Sequence, residues 1–291
     1  MRVLVTGAGG MLGRDLVTLL ATDPATSVTE AQRAALDITD PAAVRAAVPG
    51  HDVVVNAAAW TDVDGAESRE SDATALNGTA VAGLATACAA SGARLIQLST
   101  DYVFRGDSAR PYPEDAPTDP INAYGRSKLA GELAVLRALP ETGYVVRTAW
   151  LYGAHGRNFV TTMLRLSGQR ETVEVVDDQR GQPTWSVALA GQLVALARAA
   201  LAGRAPAGVY HGTASGQTTW YGLARAVFAG AGLDPDRVRP TTSDRYPRPA
   251  PRPAYSVLGH GRWAAVGLAP QPAWEEQLAA ALPVLTAATP R

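Results

Sequence analysis

The chain has very little cysteine and almost no lysine. Cys88 is its one cysteine, so no disulfide forms within the chain and no cysteine-based zinc cluster is available. Lys128 is its one lysine, beside 25 arginines. Charge of either sign is not in excess: 26 basic and 27 acidic residues give a net charge of -1. That excludes a protein whose affinity comes from bulk attraction to nucleic acid or to an anionic membrane. No apolar run reaches the ~18 residues needed to cross a bilayer. Met1-Arg2-Val3-Leu4-Val5-Thr6 enters a strand pattern at once, without the basic, apolar and small-residue sections of a signal peptide. The expectation is a cytoplasmic protein that binds neither nucleic acid nor membrane.

What is present is core material. Hydrophobic residues make up 47% of 291 positions and charged residues 18%, a globular composition. The length suits one large domain or two modest ones. The Ala, Gly, Pro and Arg richness looks like GC-rich coding, which replaces Lys with Arg wherever Arg will do. A surviving Lys then marks chemistry that needs a compact ammonium and not a planar fork. Chance survival of one Lys is the competing reading.

Strand and helix patterns alternate through the first half. Short β-branched runs fall at Val3–Val5, Ser27–Ala31, Val53–Val55, Arg94–Leu98 and Tyr144–Arg147. Helical stretches fall at Leu12–Ala21, Pro41–Ala47, Ser71–Ala90 and Asn122–Leu139. Asp40-Pro41 reads as an N-cap and first helical position, and Gly143 as a helix stop. This alternation predicts an α/β fold with a parallel sheet covered on both faces. The second half predicts helices at Asn158–Gly168, Val187–Leu201 and Trp220–Ala231, with short strands at Val173–Val176 and Gly208–His211. Pro240–Pro253 is Pro-rich, with Arg and Tyr interleaved, and reads as a loop packed over a polar ligand more than as a spacer.

Gly7, Gly10 and Gly13 follow the first strand with the spacing G-x-x-G-x-x-G and open a helix. Glycine lets the backbone approach a pyrophosphate, and the N–H groups of the following helix face the anion. With Met11 and Leu12 at the helix start, this loop is a dinucleotide site in a Rossmann-type doubly wound sheet. The end of the second strand selects the cofactor. Gln32 and Arg33 stand there, where an acid would repel a 2′-phosphate, so NADPH is expected, with NADH left open. A two-residue shift would put Glu30 in that place instead. Asp37 and Ile38 fall at the adenine edge.

Thr100 ends a strand, and Tyr124 and Lys128 are spaced i, i+4 on one helical face. A phenol near pKa ~10 exchanges protons poorly at neutral pH. A nearby ammonium lowers that value, so the pair can pass a proton to a carbonyl oxygen that Thr100 also bonds.

The chain here resembles the extended short-chain dehydrogenase/reductases, and within them the dTDP-4-dehydrorhamnose reductase family. The matching segments are Val53–Trp60, Asp62–Ser68, Leu98–Phe104, Pro111–Pro120, Tyr124–Gly131, Arg147–Gly153, Asp177–Thr184, Thr219–Ala224 and Arg252–Leu258. The resemblance implies reduction of the C4 ketone of a dTDP-4-keto-6-deoxysugar, most simply dTDP-4-dehydro-L-rhamnose to dTDP-L-rhamnose. It makes Tyr124 the proton donor, Lys128 its tuner and ribose contact, and Thr100 the group that polarises the ketone. It places Ala57, Ala58 and Ala59 along the cofactor, with Tyr124 and Lys128 also touching it. Asp101, Tyr102, Val103 and Trp150 would line the sugar site. Asn158, Arg252 and the Pro240–Pro253 loop would cover the sugar or nucleotide, and Asn77 would prop the backbone. It divides the chain into an NADP(H)-binding Rossmann domain, 1–150 plus about 184–206, and a smaller C-terminal α/β substrate domain, about 151–183 plus 207–291.

Gly65 and Arg105 depart from the family pattern near the sugar entrance, which bears on the sugar's identity. Reductases of other dTDP-keto sugars in antibiotic biosynthesis, such as the dihydrostreptose type, and a non-catalytic NADP-binding regulatory subunit stay open as alternatives. So does a homodimer. No metal is expected. His51, His155, His211 and His260 read as surface or loop histidines. Of the six tryptophans only Trp150, and with less support Trp185, gains a site role. Asp177-Asp178 reads as a crossover turn, and Cys88 as a small buried residue.

Overall fold

The computed structural model describes residues 1–288. In chain order the first half contains β1 (Arg2–Thr6), α1 (Met11–Leu20), β2 (Ser27–Ala31), α2 (Pro41–Ala47), β3 (Val53–Asn56), α3 (Val63–Ser68), α4 (Glu70–Thr74), α5 (Ala80–Ser91), β4 (Arg94–Thr100), α6 (Ala123–Ala138) and β5 (Gly143–Thr148). The second half contains β6 (Leu151–Tyr152), α7 (Phe159–Ser167), β7 (Val173–Val176), β8 (Arg180–Gly181), β9 (Thr184–Trp185), α8 (Ser186–Leu201), β10 (Gly208–His211), β11 (Thr218–Thr219), α9 (Trp220–Gly230), β12 (Val238–Thr241), α10 (Gly261–Ala265) and α11 (Trp274–Ala288).

Six strands form one parallel sheet in the order β10-β5-β4-β3-β1-β2. Strand order runs outward from β1 in both directions, so a crevice opens at the carboxyl ends between β1 and β3. Alternate strand residues feed two cores, because successive side chains point to opposite faces. Val3, Val5, Val53, Val55, Ile96, Leu98 and Val146 pack against Leu12 and Leu16 of α1 and Leu189 and Leu193 of α8. Leu4, Val54, Leu95 and Val145 pack against Val44, Leu84, Cys88 and Val135 on the other side. The expected doubly wound sheet is what forms.

A third core holds the smaller C-terminal part together: Tyr152, Val160, Leu223, Phe228, Val238, Trp274 and Leu282. Three two-stranded sheets brace it, β12-β7, β11-β8 and β6-β9.

Four expectations need correction. Gly208–His211 was assigned to the substrate part, but β10 pairs in parallel with β5 and extends the main sheet to residue 211. Gly143 is not the helix stop. Leu139 caps α6, because it precedes Pro140 and is driven out of the helical region (φ -131, ψ 61). Ser71–Ala90 is not one regular helix, for a π turn at Ala75–Thr79 interrupts it. Together Glu70–Ser91 is long and apolar enough by composition to cross a membrane, but half of it is buried against the protein. His211 is no surface residue: it is fully buried in β10.

The π turn has a use. It carries Asn77, whose side chain accepts from Trp60 N at 2.9 Å and donates to Trp60 O at 3.1 Å and Ser127 Oγ at 2.9 Å. The strand-end loop and α6 are thereby tied together, as the expected backbone prop requires. Gly131 on α6 makes room for the Asn77 carbonyl, which a Cβ at that position would strike. Gly131→Ala should therefore destabilise the protein by about 1–3 kcal/mol. Urea denaturation beside the parent protein checks this.

Candidate active site

A cleft of about 960 Å³ runs along the carboxyl ends of the sheet. One end is made by the loop between β1 and α1, with Gly7, Gly10, Met11, Leu12 and Gly13 on its wall. Gly7 has φ +68, and a Cβ there would lie 2.7 Å from the Ala57 carbonyl carbon. Only glycine lets this turn press against the end of β3. Ala57, Ala58 and Ala59 form the adjoining wall. The first turn of α1 carries no acid and no side-chain cap, so its N–H groups are left for an anion.

Gln32 and Arg33 follow β2 directly and line the same end, as do Asp37 and Ile38. Arg33 is 87% exposed and lies 3.7 Å from Asp37. Glu30 sits within β2, exposed and off the cleft wall, so the shifted register is not adopted.

The other end holds the expected chemistry. Thr100, Tyr124 and Lys128 all line it. Asn122 caps α6 by accepting from Gly125 N, which fixes the turn carrying Tyr124. Lys128, only 3% exposed, donates from Nζ to the Leu98 carbonyl at 2.7 Å. Burial pulls its ammonium down to about 8, while the charge of Glu132 resists. Thr100 Oγ1 donates to Asp101 Oδ1 at 3.0 Å and accepts from Tyr102 N at 3.2 Å.

The Tyr124 phenol corrects the expectation. Burial and the Asp101 charge push it above its ordinary value, against a Thr100 hydrogen bond that pulls it down. Lys128 directs one N–H at the Leu98 carbonyl and is not among the groups that shift the phenol here. The phenol therefore stays protonated, and because a raised value makes it a weaker acid, release of its proton needs a positive charge to stabilise the phenolate.

Three buried polar atoms on this wall have no hydrogen-bond partner: Ser99 Oγ, Asp101 Oδ2 and Thr148 Oγ1. Buried polar atoms are rarely left so, and their grouping points to a polar ligand. Together with the Gly7 turn, they fit a dinucleotide.

Tyr102 and Trp150 also line this cleft. Tyr102 meets Tyr124 edge to face, with ring centroids 6.0 Å apart. Trp150 has φ +45, a strained value for a bulky side chain, and stacks on Trp220 at 3.6 Å. Other nominated residues stand back from the wall. Val103 is fully buried beside Phe104 and Leu258. Asn158 caps α7 and donates to Gly153 O. Arg252 lies behind Tyr102, 5.9 Å from its ring, and pairs with Asp64 at 3.0 Å. Trp185 belongs to the third core. The Pro-rich stretch is anchored near its end, where Asp64 accepts from Ala250 N and Asn122 donates to Pro251 O, but residues 244–249 are exposed and none of the stretch lines the cleft. Asp177 and Asp178 accept from Thr219 and Ser243 and hold turns.

Sequence reasoning missed several wall residues, among them Thr61, Ser99, Thr148, His155, Arg157 and Trp220. His155 and Arg157 come from the β6–α7 loop, which faces the phosphate loop across the cleft; His155 lies 3.7 Å from Asp15 of α1. Arg157, an exposed cation following two glycine-spaced residues, carried no local signal. Among the described residues, no three His, Cys, Asp or Glu side chains gather in a metal-holding group.

The sheet order, the glycine turn and this cleft define a dinucleotide-binding protein of the Rossmann class. The chain belongs to the family described as the RmlD substrate binding domain, whose model matches residues 1–287. It is 58% identical to a dTDP-4-dehydrorhamnose reductase of Streptomyces griseus over 98% of this chain and 94% of that one. It is 54% identical to a dTDP-4-keto-6-deoxy-D-glucose reductase of Streptomyces niveus over 98% of each. A crystal structure of dTDP-4-dehydrorhamnose reductase from Bacillus anthracis in complex with NADP superposes with a TM-score of 0.90 at 36% identity, covering 96% of this chain and 98% of that one.

Asp101 gives a pH-dependent test. Burial raises its carboxyl from 3.8 to about 6. The folded state therefore keeps a proton that the unfolded chain releases. Its contribution to stability is full below 3.8 and is lost as pH rises through about 6, a change of about 3 kcal/mol. Asp101→Asn should gain stability over the parent at pH 7 but not at pH 4, as read from paired urea denaturation curves.

Proposed function

We propose that this protein is an NADPH-dependent reductase of the C4 ketone of a dTDP-4-keto-6-deoxysugar, with dTDP-4-dehydro-L-rhamnose as the first candidate. One observation carries the reading: Thr100, Tyr124 and Lys128 share a cleft with the Gly7–Gly13 loop. The names of the Streptomyces griseus relative and of the NADP-bound structure support it. The Streptomyces niveus relative favours a second substrate, dTDP-4-keto-6-deoxy-D-glucose, for the same chemistry.

The Gly7–Gly13 loop and the α1 N-terminus would hold the cofactor diphosphate, with Gln32 and Arg33 beside the adenosine ribose. Arg33 would favour a 2′-phosphate. When bound, the reduced nicotinamide supplies the hydride. The Tyr124 hydroxyl gives its proton to the ketone oxygen. Thr100 Oγ1 turns from Asp101 to donate to that same oxygen. Lys128 holds the ribose hydroxyls and compensates the charge left on the phenolate. Tyr102, Trp150 and Trp220 would enclose the sugar. On this reading residues 1–150 with about 184–211 carry the cofactor, and the remainder covers the sugar nucleotide.

Turnover of NADPH with each keto sugar tests the assignment, with NADH run beside it. Tyr124→Phe should lower kcat by about 10²–10⁴-fold while NADPH titration stays unchanged. Near-normal turnover would remove Tyr124 from the role. Lys128→Arg should fail as well, since a planar fork does not replace an ammonium in a site this closed. Arg157 lines the same cleft as the phosphate loop and has no ion pair among the described residues. Arg157→Gln should raise the KM for NADPH several-fold and leave kcat within about twofold, with the difference shrinking at high salt.

A further inference from the structure

We infer that the buried Glu132 carboxylate, fixed by Arg147 one turn from Lys128, supplies the negative charge that supports the Lys128 ammonium, which makes Glu132 a positioning residue for the reaction; the inference rests on the role proposed above for Lys128.

Lys128 and Glu132 lie one turn apart on α6, on the face turned toward β4 and β5. Lys128 is 3% exposed and its Nζ bonds only a neutral carbonyl, that of Leu98. An ammonium so placed needs a counter-charge to stay ionised. Glu132, 1% exposed, is the carboxylate one turn on. Arg147 grips both its oxygens, at 2.9 Å and 2.7 Å, in a buried, charge-assisted fork. Arg147 comes from β5, where it is in register with Ser99 of β4, one residue beyond Leu98. The pair and the lysine are thus carried by three neighbouring elements.

Stability does not explain this pair. A buried ion pair is commonly no more stable than apolar residues of the same volume. Its surroundings are built to preserve its charge. The Arg147 guanidinium covers the Phe104 ring at 4.8 Å. His211, 3.5 Å from Arg147, is pushed down to about 3 by burial and by that guanidinium, so it adds no second cation.

Other charged groups around α6 are committed elsewhere. Glu67 accepts from Ala123 N, Glu70 pairs with Arg126, and Asp64 pairs with Arg252. Arg137 points to solvent, and Arg94 stands at the far end of β4. On the 3-10 turn after β4, Asp101 bonds Thr100. Tyr124 is neutral and α5 carries no charge. Burial draws Lys128 toward about 8, and Glu132 is the group that pulls back.

The experiment is the pH profile of kcat/KM for ketone reduction in Glu132→Gln, Glu132→Asp and the double variant Glu132→Gln, Arg147→Met. The double variant removes both charges together, so no unpaired guanidinium is left buried and folding is protected. The alkaline limb should move to lower pH by about one unit in Glu132→Gln, a tenfold loss of kcat/KM on that limb. The shift should persist in the double variant and be largely reversed in Glu132→Asp. A folded variant with lowered activity but an unmoved alkaline limb would overturn the inference and leave Glu132 a packing residue. Lys128→Met, run in parallel, separates the two claims. If it keeps turnover, the role of Lys128 falls first and this inference with it. If it loses turnover while the limb stays fixed in the Glu132 variants, only this inference falls.

Discussion

One contact organises the chemistry of this protein: the Lys128 ammonium on the Leu98 carbonyl, at 2.7 Å. It fastens the first half of α6 to the end of β4. Tyr124 then stands one turn earlier on the same helical face, and Thr100 stands two residues further along the same strand. The three side chains converge because a helix and a strand are joined at one polar point. Around that point the protein accepts costs that a simple core would avoid: a buried ion pair, a buried carboxyl and three unpartnered polar atoms. Such local conflicts are expected where structure serves a ligand.

The second constraint is the glycine turn. Gly7 in the left-handed region draws the phosphate loop against Ala57 and Ala58. This close approach brings the loop and the end of β3 into one wall, so the cleft is continuous from Arg33 to Trp220. Asn77 completes the arrangement by joining the Trp60 backbone to Ser127 of α6. A π turn in the middle of an apolar helix is what places it there.

Much of this was legible in the sequence because local patterns carried it. Alternating β-branched and Ala/Leu-rich runs gave the parallel sheet, and the Asp40 cap with Pro41 set a helix start. The glycine spacing and the i, i+4 Tyr–Lys pair named the two ends of the cleft. What escaped depends on distant contacts. His211 looks like a loop residue until β10 is seen beside β5. Arg157 and Trp220 reach the wall only through the packing of the smaller part against the sheet. Asn158 and Arg252 read as ligand contacts by resemblance, yet one caps a helix and the other pairs with Asp64. The phenol's upward shift was hidden for the same reason, since the burial that causes it comes from residues far apart in sequence, with the charge of Asp101 adding to it.

On the proposed function, one cleft joins the nicotinamide end of the cofactor to the sugar ketone. Reduction of dTDP-4-dehydro-L-rhamnose with NADPH carrying deuterium at nicotinamide C4 tests it most directly. Proton NMR of the product should show the label at sugar C4 and nowhere else. Product formed with hydrogen at C4 in every case, whichever face of the nicotinamide carries the label, would contradict direct transfer within this cleft.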